Sequence, residues 1–170
     1  MSEYRLIIMR HAKSDWNTGA GKDFNRPLSF RGEQDAPKMG DWLRQQQFTP
    51  QYVISSPALR ARQTCLAIVR ELDMGEENVI WEDGIYEAGI KDLCSIIDEY
   101  ANGINTLMMI GHNPGLEGLL YHLSQDKPPC NDSGKVLTTA AIAVLNYGDK
   151  VISSKRAGSR LETFIRPREL

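Results

Sequence analysis

Alternating strand-like and helix-like segments predict an α/β fold with a largely parallel sheet. Three observations carry this expectation. Short runs rich in Leu, Ile, Val and Met recur at residues 4–9, 52–55, 79–81, 106–110 and 140–146. Between them lie stretches with apolar residues at helical spacing, Leu93, Ile96, Ile97 and Tyr100 among them. The composition is that of a globular chain, 41% hydrophobic and 25% charged, which argues against disorder.

Each element has a local reason. The run at 4–9 reads as a buried strand that ends at Arg10-His11. Residues 13–27 are polar, hold Gly19, Gly21 and Pro27, and read as a loop. Ser29 suits the N-cap of a helix reaching about residue 47, with Ala36, Met39 and Leu43 as its apolar stripe. Pro37 lies inside that stretch, so a kink or a late start is expected. The strand at 52–55 runs into Ser56-Pro57, and a helix is expected over 58–72. A third extended run covers 79–81, a helix 91–100, a strand 106–110 and a helix 116–123. Residues 124–135 are rich in Pro, Asp and Ser and read as a long surface loop. A strand follows at 140–146, and the chain beyond Val151 suits one or two edge strands. No internal repeat is present, and 170 residues fit a single domain over 1–170.

The charge count is 20 Lys+Arg against 22 Asp+Glu, a net of −2. Such a chain has no global field to draw it onto nucleic acid or an anionic membrane, so any basic site must be local. No apolar run is long enough for a membrane span or a signal-peptide core. Cys65, Cys94 and Cys130 are odd in number and widely spaced, which points to neither a zinc knuckle nor a disulfide framework. A reduced, cytoplasmic protein is the expectation.

The chemistry concentrates at strand ends. Arg10 and His11 close the first strand, Arg60 follows the second within five residues, and His112 follows the fourth. Ligands of open α/β sheets bind at the carboxyl ends of strands. A single His there is ordinarily a loop residue satisfied by backbone, and a single Arg a solvated charge. Two of each in the same kind of position point to an anion site. His122 falls late in a helix and reads as a surface or boundary residue.

The wording around these residues is more specific. "LIIMRHAKSDW" at 6–16, "SSPALRARQT" at 55–64 and "MMIGHNPGLEGL" at 108–119 resemble, in order, three motifs of the histidine phosphatase superfamily. That group includes the phosphoglycerate mutases and acid phosphatases. Its usual Arg-His-Gly is Arg10-His11-Ala12 here, as in the SixA-like branch of phosphohistidine phosphatases. "DFNRPLSFRGEQDAP" at 23–37 and "TTAAIAVL" at 138–145 also look like SixA-type sequence.

The resemblance implies a three-layer αβα sandwich around a mostly parallel sheet, phosphoglycerate mutase-like. It implies a pocket of Arg10, His11, Arg60 and His112, with His11 as the nucleophile that forms a phosphohistidine. Those residue types suit a group carrying about −1.5 to −2 charge. The arginines offer planar forks matched to phosphate oxygens, and a protonated His112 would add a donor. No carboxylate cluster has metal spacing, so neither metal nor other cofactor is expected. Relatives place an acid after the third extended run; Glu87 is the best positional match, with Asp83 and Glu82 behind it. Ser14 and Asn17 are further candidates for phosphate oxygens, Trp16 and Arg26 for the mouth, Asn113 for the pocket wall or its turn, and Ser56 for capping the helix that presents Arg60.

Three functions are compatible with this pattern. The first is a phosphatase for phosphohistidine on a protein partner, suited by a chain too short for large lid insertions. The second is a phosphatase for a small phosphate ester, which needs a working acid at Glu87. The third is a phosphate-binding module without turnover, disfavoured by a positioned nucleophile. A mutase would need a site shaped to rebind a bisphosphorylated intermediate, and nothing marks one. The motifs leave oligomeric state and physiological substrate open.

Overall fold

The computed structural model describes residues 3–19 and 21–170. Six strands form one sheet: β1 (Tyr4–Arg10), β2 (Tyr52–Ser55), β3 (Val79–Trp81), β4 (Thr106–Gly111), β5 (Ile142–Gly148) and β6 (Arg160–Ile165). Four helices accompany them: α1 (Phe30–Gln45), α2 (Leu59–Glu71), α3 (Ile90–Tyr100) and α4 (Gly115–Leu123). The strand order is β3-β2-β4-β1-β5-β6.

Side-chain alternation builds the layers. Successive strand residues face opposite sides of a sheet. Ile7, Met9, Met108, Ile110 and Val144 therefore face one side, where they pack with Ala36, Met39 and Leu43 of α1 and with Cys65 and Ile68 of α2. Leu6, Ile8, Leu107, Met109 and Leu145 face the other, against Leu93 and Ile97 of α3 and Leu116 and Leu120 of α4. Strands covered on both faces read as unbroken apolar runs, which is why residues 6–9 and 107–110 show no polar alternation. All eight are fully buried.

The structure refines the expected elements. The sheet is mixed: β1–β4, β2–β4 and β2–β3 are parallel, whereas β5 runs antiparallel to β1 and β6 antiparallel to β5. α1 passes unbroken through Pro37. Burial of Gly32, Ala36, Met39, Gly40 and Leu43 along one face of α1 outweighs the one hydrogen bond that proline removes. β5 begins at Ile142 rather than residue 140, because Ala140 has a φ of 64°. Its N–H turns to the carbonyls of Arg10 and His11, at 3.1 and 3.0 Å. The C-terminal segment supplies one edge strand.

The start of α1 is fastened to the loop after β1. Ser29 caps the helix by accepting from the Gly32 N–H at 3.2 Å, and its hydroxyl donates to the Lys13 carbonyl at 3.0 Å. Gly32 is required by this approach. A β-carbon there would lie 2.0 Å from the Lys13 carbonyl oxygen. In an open helix, Gly→Ala stabilises by about 1 kcal/mol. Here the sign reverses: Gly32→Ala is expected to lower stability by about 1–3 kcal/mol, the range for overpacking. It also displaces the backbone two residues from His11. Denaturant unfolding of the purified variant checks the sign.

Candidate active site

The register of two strands sets the centre of the site. Arg10 pairs across from Gly111 in the parallel β1–β4 ladder, and the His11 N–H continues it to the Gly111 carbonyl at 3.0 Å. The next residue on each strand is a histidine. Their rings stand 5.1 Å apart between centroids. Arg60, the second residue of α2, is buried, and its Nε lies 3.4 Å from His11 Nε2. Thr64, one turn further on, accepts from the Ala12 N–H at 3.0 Å and donates to the Arg60 carbonyl at 2.7 Å. The first motif is thereby tied to the second.

Hydrogen bonding assigns the protons on His11. Nδ1 lies 2.7 Å from the Ala12 carbonyl, an acceptor only, so Nδ1 carries the hydrogen. Nε2 is left with its lone pair beside Arg60. Burial is the largest influence on this ring. It lowers the pKa from 6.5 to about 3, with the charges of His112, Arg60 and Arg10 acting in the same direction and the Ala12 carbonyl opposing. His112 is lowered to about 4, by burial first and then by Arg60, with Asp23 opposing. Both rings are therefore neutral at pH 7. Burial also lowers the pKa of the Arg10 guanidinium, with Glu117 opposing. One of its terminal nitrogens donates to the Leu137 carbonyl at 3.2 Å. Arg10 Nε and His112 Nδ1 are buried polar atoms without a partner, an arrangement that an anion's oxygens would satisfy.

A second set of residues was not visible in the spacing of motifs. Asp23 sits against Arg60 with both its backbone and its side chain. Its carbonyl accepts from one terminal nitrogen at 2.8 Å and its carboxylate from the other at 2.9 Å. The same carboxylate accepts from the Tyr86 hydroxyl at 2.7 Å and from Arg26 at 3.0 Å. Burial alone would raise the Asp23 pKa, but the hydrogen bonds from Tyr86, Arg26 and Arg60 hold it well below the usual carboxylate range. Tyr86 in turn is raised to about 12, by burial and then by Asp23. The one sequence signal for Asp23 was its place at the head of the family-like stretch 23–37.

The remaining candidates divide. Ser14 is buried and accepts from Arg26, whose guanidinium lies 3.5 Å above the exposed Trp16 ring. Ser14 therefore supports the rim through Arg26. Asn17 is exposed, and its N–H caps the Asp15 carboxylate. Ser56 does not cap α2, whose N-cap residue is Ala58. Its hydroxyl accepts from the Ala58 N–H at 3.2 Å and lies 2.8 Å from His112 Nε2. Asn113 donates to the Leu137 carbonyl at 2.8 Å, the acceptor that Arg10 also uses. Glu87 is exposed, with a φ of 60°, and makes no hydrogen bond among the described residues. Glu82 accepts from the Gly84 N–H and the Tyr100 hydroxyl, and Asp83 is exposed. His122 lies late in α4 and reaches the Ser154 carbonyl at 2.9 Å.

Residues 6–102 match the sequence profile of the histidine phosphatase superfamily (branch 1). The chain belongs to the histidine phosphatase superfamily. An uncharacterised chloroplastic protein of Arabidopsis thaliana is 37% identical over 128 residues, which are 71% of this chain and 59% of that protein. The phosphohistidine phosphatase SixA of Escherichia coli (strain K12) is 29% identical over 146 residues, 82% of this chain and 83% of that one. A structure of the protein histidine phosphatase SixA complexed with tungstate superposes with a TM-score of 0.80 at 22% identity, covering 97% and 98% of the two chains. The architecture is thus that of a phosphoglycerate mutase-like member of the superfamily.

The neutral histidines make stability pH-dependent in a defined direction. Between pH 6.5 and 4, the unfolded chain protonates both rings while the folded chain keeps them neutral. The unfolded state then binds more protons, so stability falls as pH is lowered through that window. The urea midpoint is expected to drop between pH 7 and pH 5, and to drop less in His11→Gln.

Proposed function

We propose that the chain is a phosphohistidine phosphatase that works through a covalent phosphohistidine on His11. The observation that carries this reading is a nucleophile in place without a matching acid. His11 Nε2 keeps its lone pair beside Arg60. The carboxylate touching the pocket, Asp23, is held ionised by its hydrogen-bond donors, and Glu87 is exposed and unengaged. An alkoxide leaving group needs a proton donor. An imidazole leaving group needs far less help. The phosphohistidine phosphatase named among the relatives supports the same substrate class.

The reaction follows from the residues. His11 Nε2 attacks phosphorus, the P–N bond of the substrate breaks, and the departing imidazole takes a proton from solvent. Arg10, Arg60 and a ring N–H of His112 stabilise charge on the non-bridging oxygens, the principal demand of phosphoryl transfer. Water then attacks phosphorus, the bond to His11 breaks, and inorganic phosphate leaves. The neutral state of His11 needs no deprotonation first, because burial has already removed its proton.

Two arginines supply the positive charge, so we read turnover as independent of metal. Among the described residues no three His, Cys, Asp or Glu side chains gather to hold one. No helix among them is long and apolar enough to cross a membrane. Free Cys65, Cys94 and Cys130 support a reducing, cytoplasmic setting. The continuous sheet from Tyr4 to Ile165 supports reading residues 1–170 as one domain.

Rapid acid-free quenching after incubation with labelled phosphohistidine is expected to trap acid-labile label on the wild type and none on His11→Ala. Loss of the nucleophile should lower turnover by at least about a thousandfold. Arg60→Lys, which loses the planar fork, should cost about a hundredfold or more. EDTA should leave the rate unchanged. Glu87→Gln should retain phosphohistidine hydrolysis. Turnover in the absence of any label on His11, or alkyl phosphates turned over faster than phosphohistidine with dependence on Glu87, would overturn the reading in favour of other chemistry or an ester substrate.

A further inference from the structure

Next to the pocket lies a second concavity, a cleft of about 710 Å³ that Arg10 shares. It is bounded by the loop after β1, the first turn of α1, the segment 130–139 and the C-terminal residues after β6. Six of its fourteen lining residues are Lys or Arg and two are acidic. The whole chain carries a net charge of −2, so this cleft runs against the overall balance. It is the local basic site that composition alone left unplaced.

The cations fall into two groups. Arg166 is buried and tied to the protein's own groups. Its Nε donates to the Val136 carbonyl at 3.1 Å, and its terminal nitrogens go to the carbonyls of Pro129 and Lys135 and to Glu169. Arg166 fastens the C-terminus to the segment 129–136 through three hydrogen bonds. Lys13, Lys135 and Arg168 are exposed on the rim and make neither ion pair nor hydrogen bond through their side chains among the described residues. Arg31, also exposed, reaches Asp35 at 3.4 Å. A small anion is normally clamped by convergent, buried donors. In this cleft the buried Arg166 is tied to the protein's own carbonyls and Glu169, and Arg10 belongs to the neighbouring pocket, so the charge left for the cleft itself stands on long, flexible stems around an open rim. That distribution matches an extended chain carrying several carboxylates.

We propose that this cleft docks an acidic peptide segment flanking the phosphorylated histidine of a protein substrate. The proposal rests on the phosphohistidine reading above. Arg10 is the hinge between the two sites, lining the cleft and standing at the end of β1 beside His11. A segment seated on Lys13, Lys135 and Arg168 would therefore deliver its neighbouring phosphohistidine to the pocket. Selection arises from charge on the partner rather than from a closed cavity around the substrate.

The test uses two phosphohistidine peptides with the same central residues, one with Asp and Glu flanks and one with Ser and Gln flanks, and free phosphohistidine. The acidic peptide is expected to show a KM about tenfold lower at low salt, the effect of three exposed ion pairs. The advantage should shrink with added salt. It should vanish in the triple variant Lys13→Gln, Lys135→Gln, Arg168→Gln, with kcat and the hydrolysis of free phosphohistidine unchanged. Equal KM values for the two peptides, or an advantage that survives in the triple variant, would overturn the proposal. Binding of the unphosphorylated acidic peptide, followed by fluorescence anisotropy, separates this from the catalytic reading. Weakened binding in the triple variant supports the cleft even where no phosphohistidine is hydrolysed. Tighter binding of tripolyphosphate or of a single-stranded oligonucleotide at the same cations would assign the cleft to those ligands and overturn it.

Discussion

The pairing of Arg10 with Gly111 across two parallel strands is the constraint on which the site depends. A shift of one residue would turn each side chain of β1 to the opposite face. Ile7 and Met9 would lose the α1–α2 layer, and Leu6 and Ile8 the α3–α4 layer. Burial on both faces thus fixes the register, and the register places His11 beside His112. The same packing that holds the sheet together sets the 5.1 Å separation of the two rings. No long-range polar network is needed to bring them together.

Around that pair, the protein spends burial to tune chemistry. An exposed imidazole would be partly protonated near neutrality. His11, nine-tenths or more out of water and flanked by cations, is neutral, and its one N–H is committed to a backbone carbonyl. The buried Arg60 presents the reverse problem, because an unpaired buried charge is costly. Asp23 resolves it from the solvent side, with a half-exposed carboxylate and a backbone carbonyl on the same guanidinium. Arg26 and Tyr86 share that carboxylate. One acidic residue therefore organises three side chains, Arg60, Arg26 and Tyr86.

Much of this was legible in the chain. The apolar runs located every strand of the parallel half, because strands buried on both faces lose their polar alternation. The four pocket residues stood out because a strand end is where side chains can converge without being neighbours in sequence. What stayed hidden was set by partners distant in sequence. Nothing in the run 138–145 shows that Ala140 adopts a positive φ to serve two carbonyls at the end of β1. Ser56 looked like a cap because it precedes a proline and a helix, and only the fold places it against His112. Asp23 and Tyr86 are 63 residues apart and meet through one hydrogen bond. Pro37 misled for a related reason: local propensity costs one bond, and a buried helix face more than compensates.

The two arginines of the pocket, alike in sequence, are held differently, and the difference bears on how an anion is received. Arg60 has its terminal nitrogens occupied by Asp23, so its charge is offset and its geometry fixed before any ligand arrives. Arg10 gives one nitrogen to Leu137 and leaves Nε without a partner, in a setting that disfavours its charge by burial. A dianion beside Arg10 Nε would relieve that burial cost, adding to the partial offset that Glu117 provides. Binding energy would then be released at the arginine that also borders the basic cleft. On the proposed function, phosphoryl recognition and the charge of the neighbouring surface would meet at this single guanidinium, which a nearly neutral chain leaves incompletely paired.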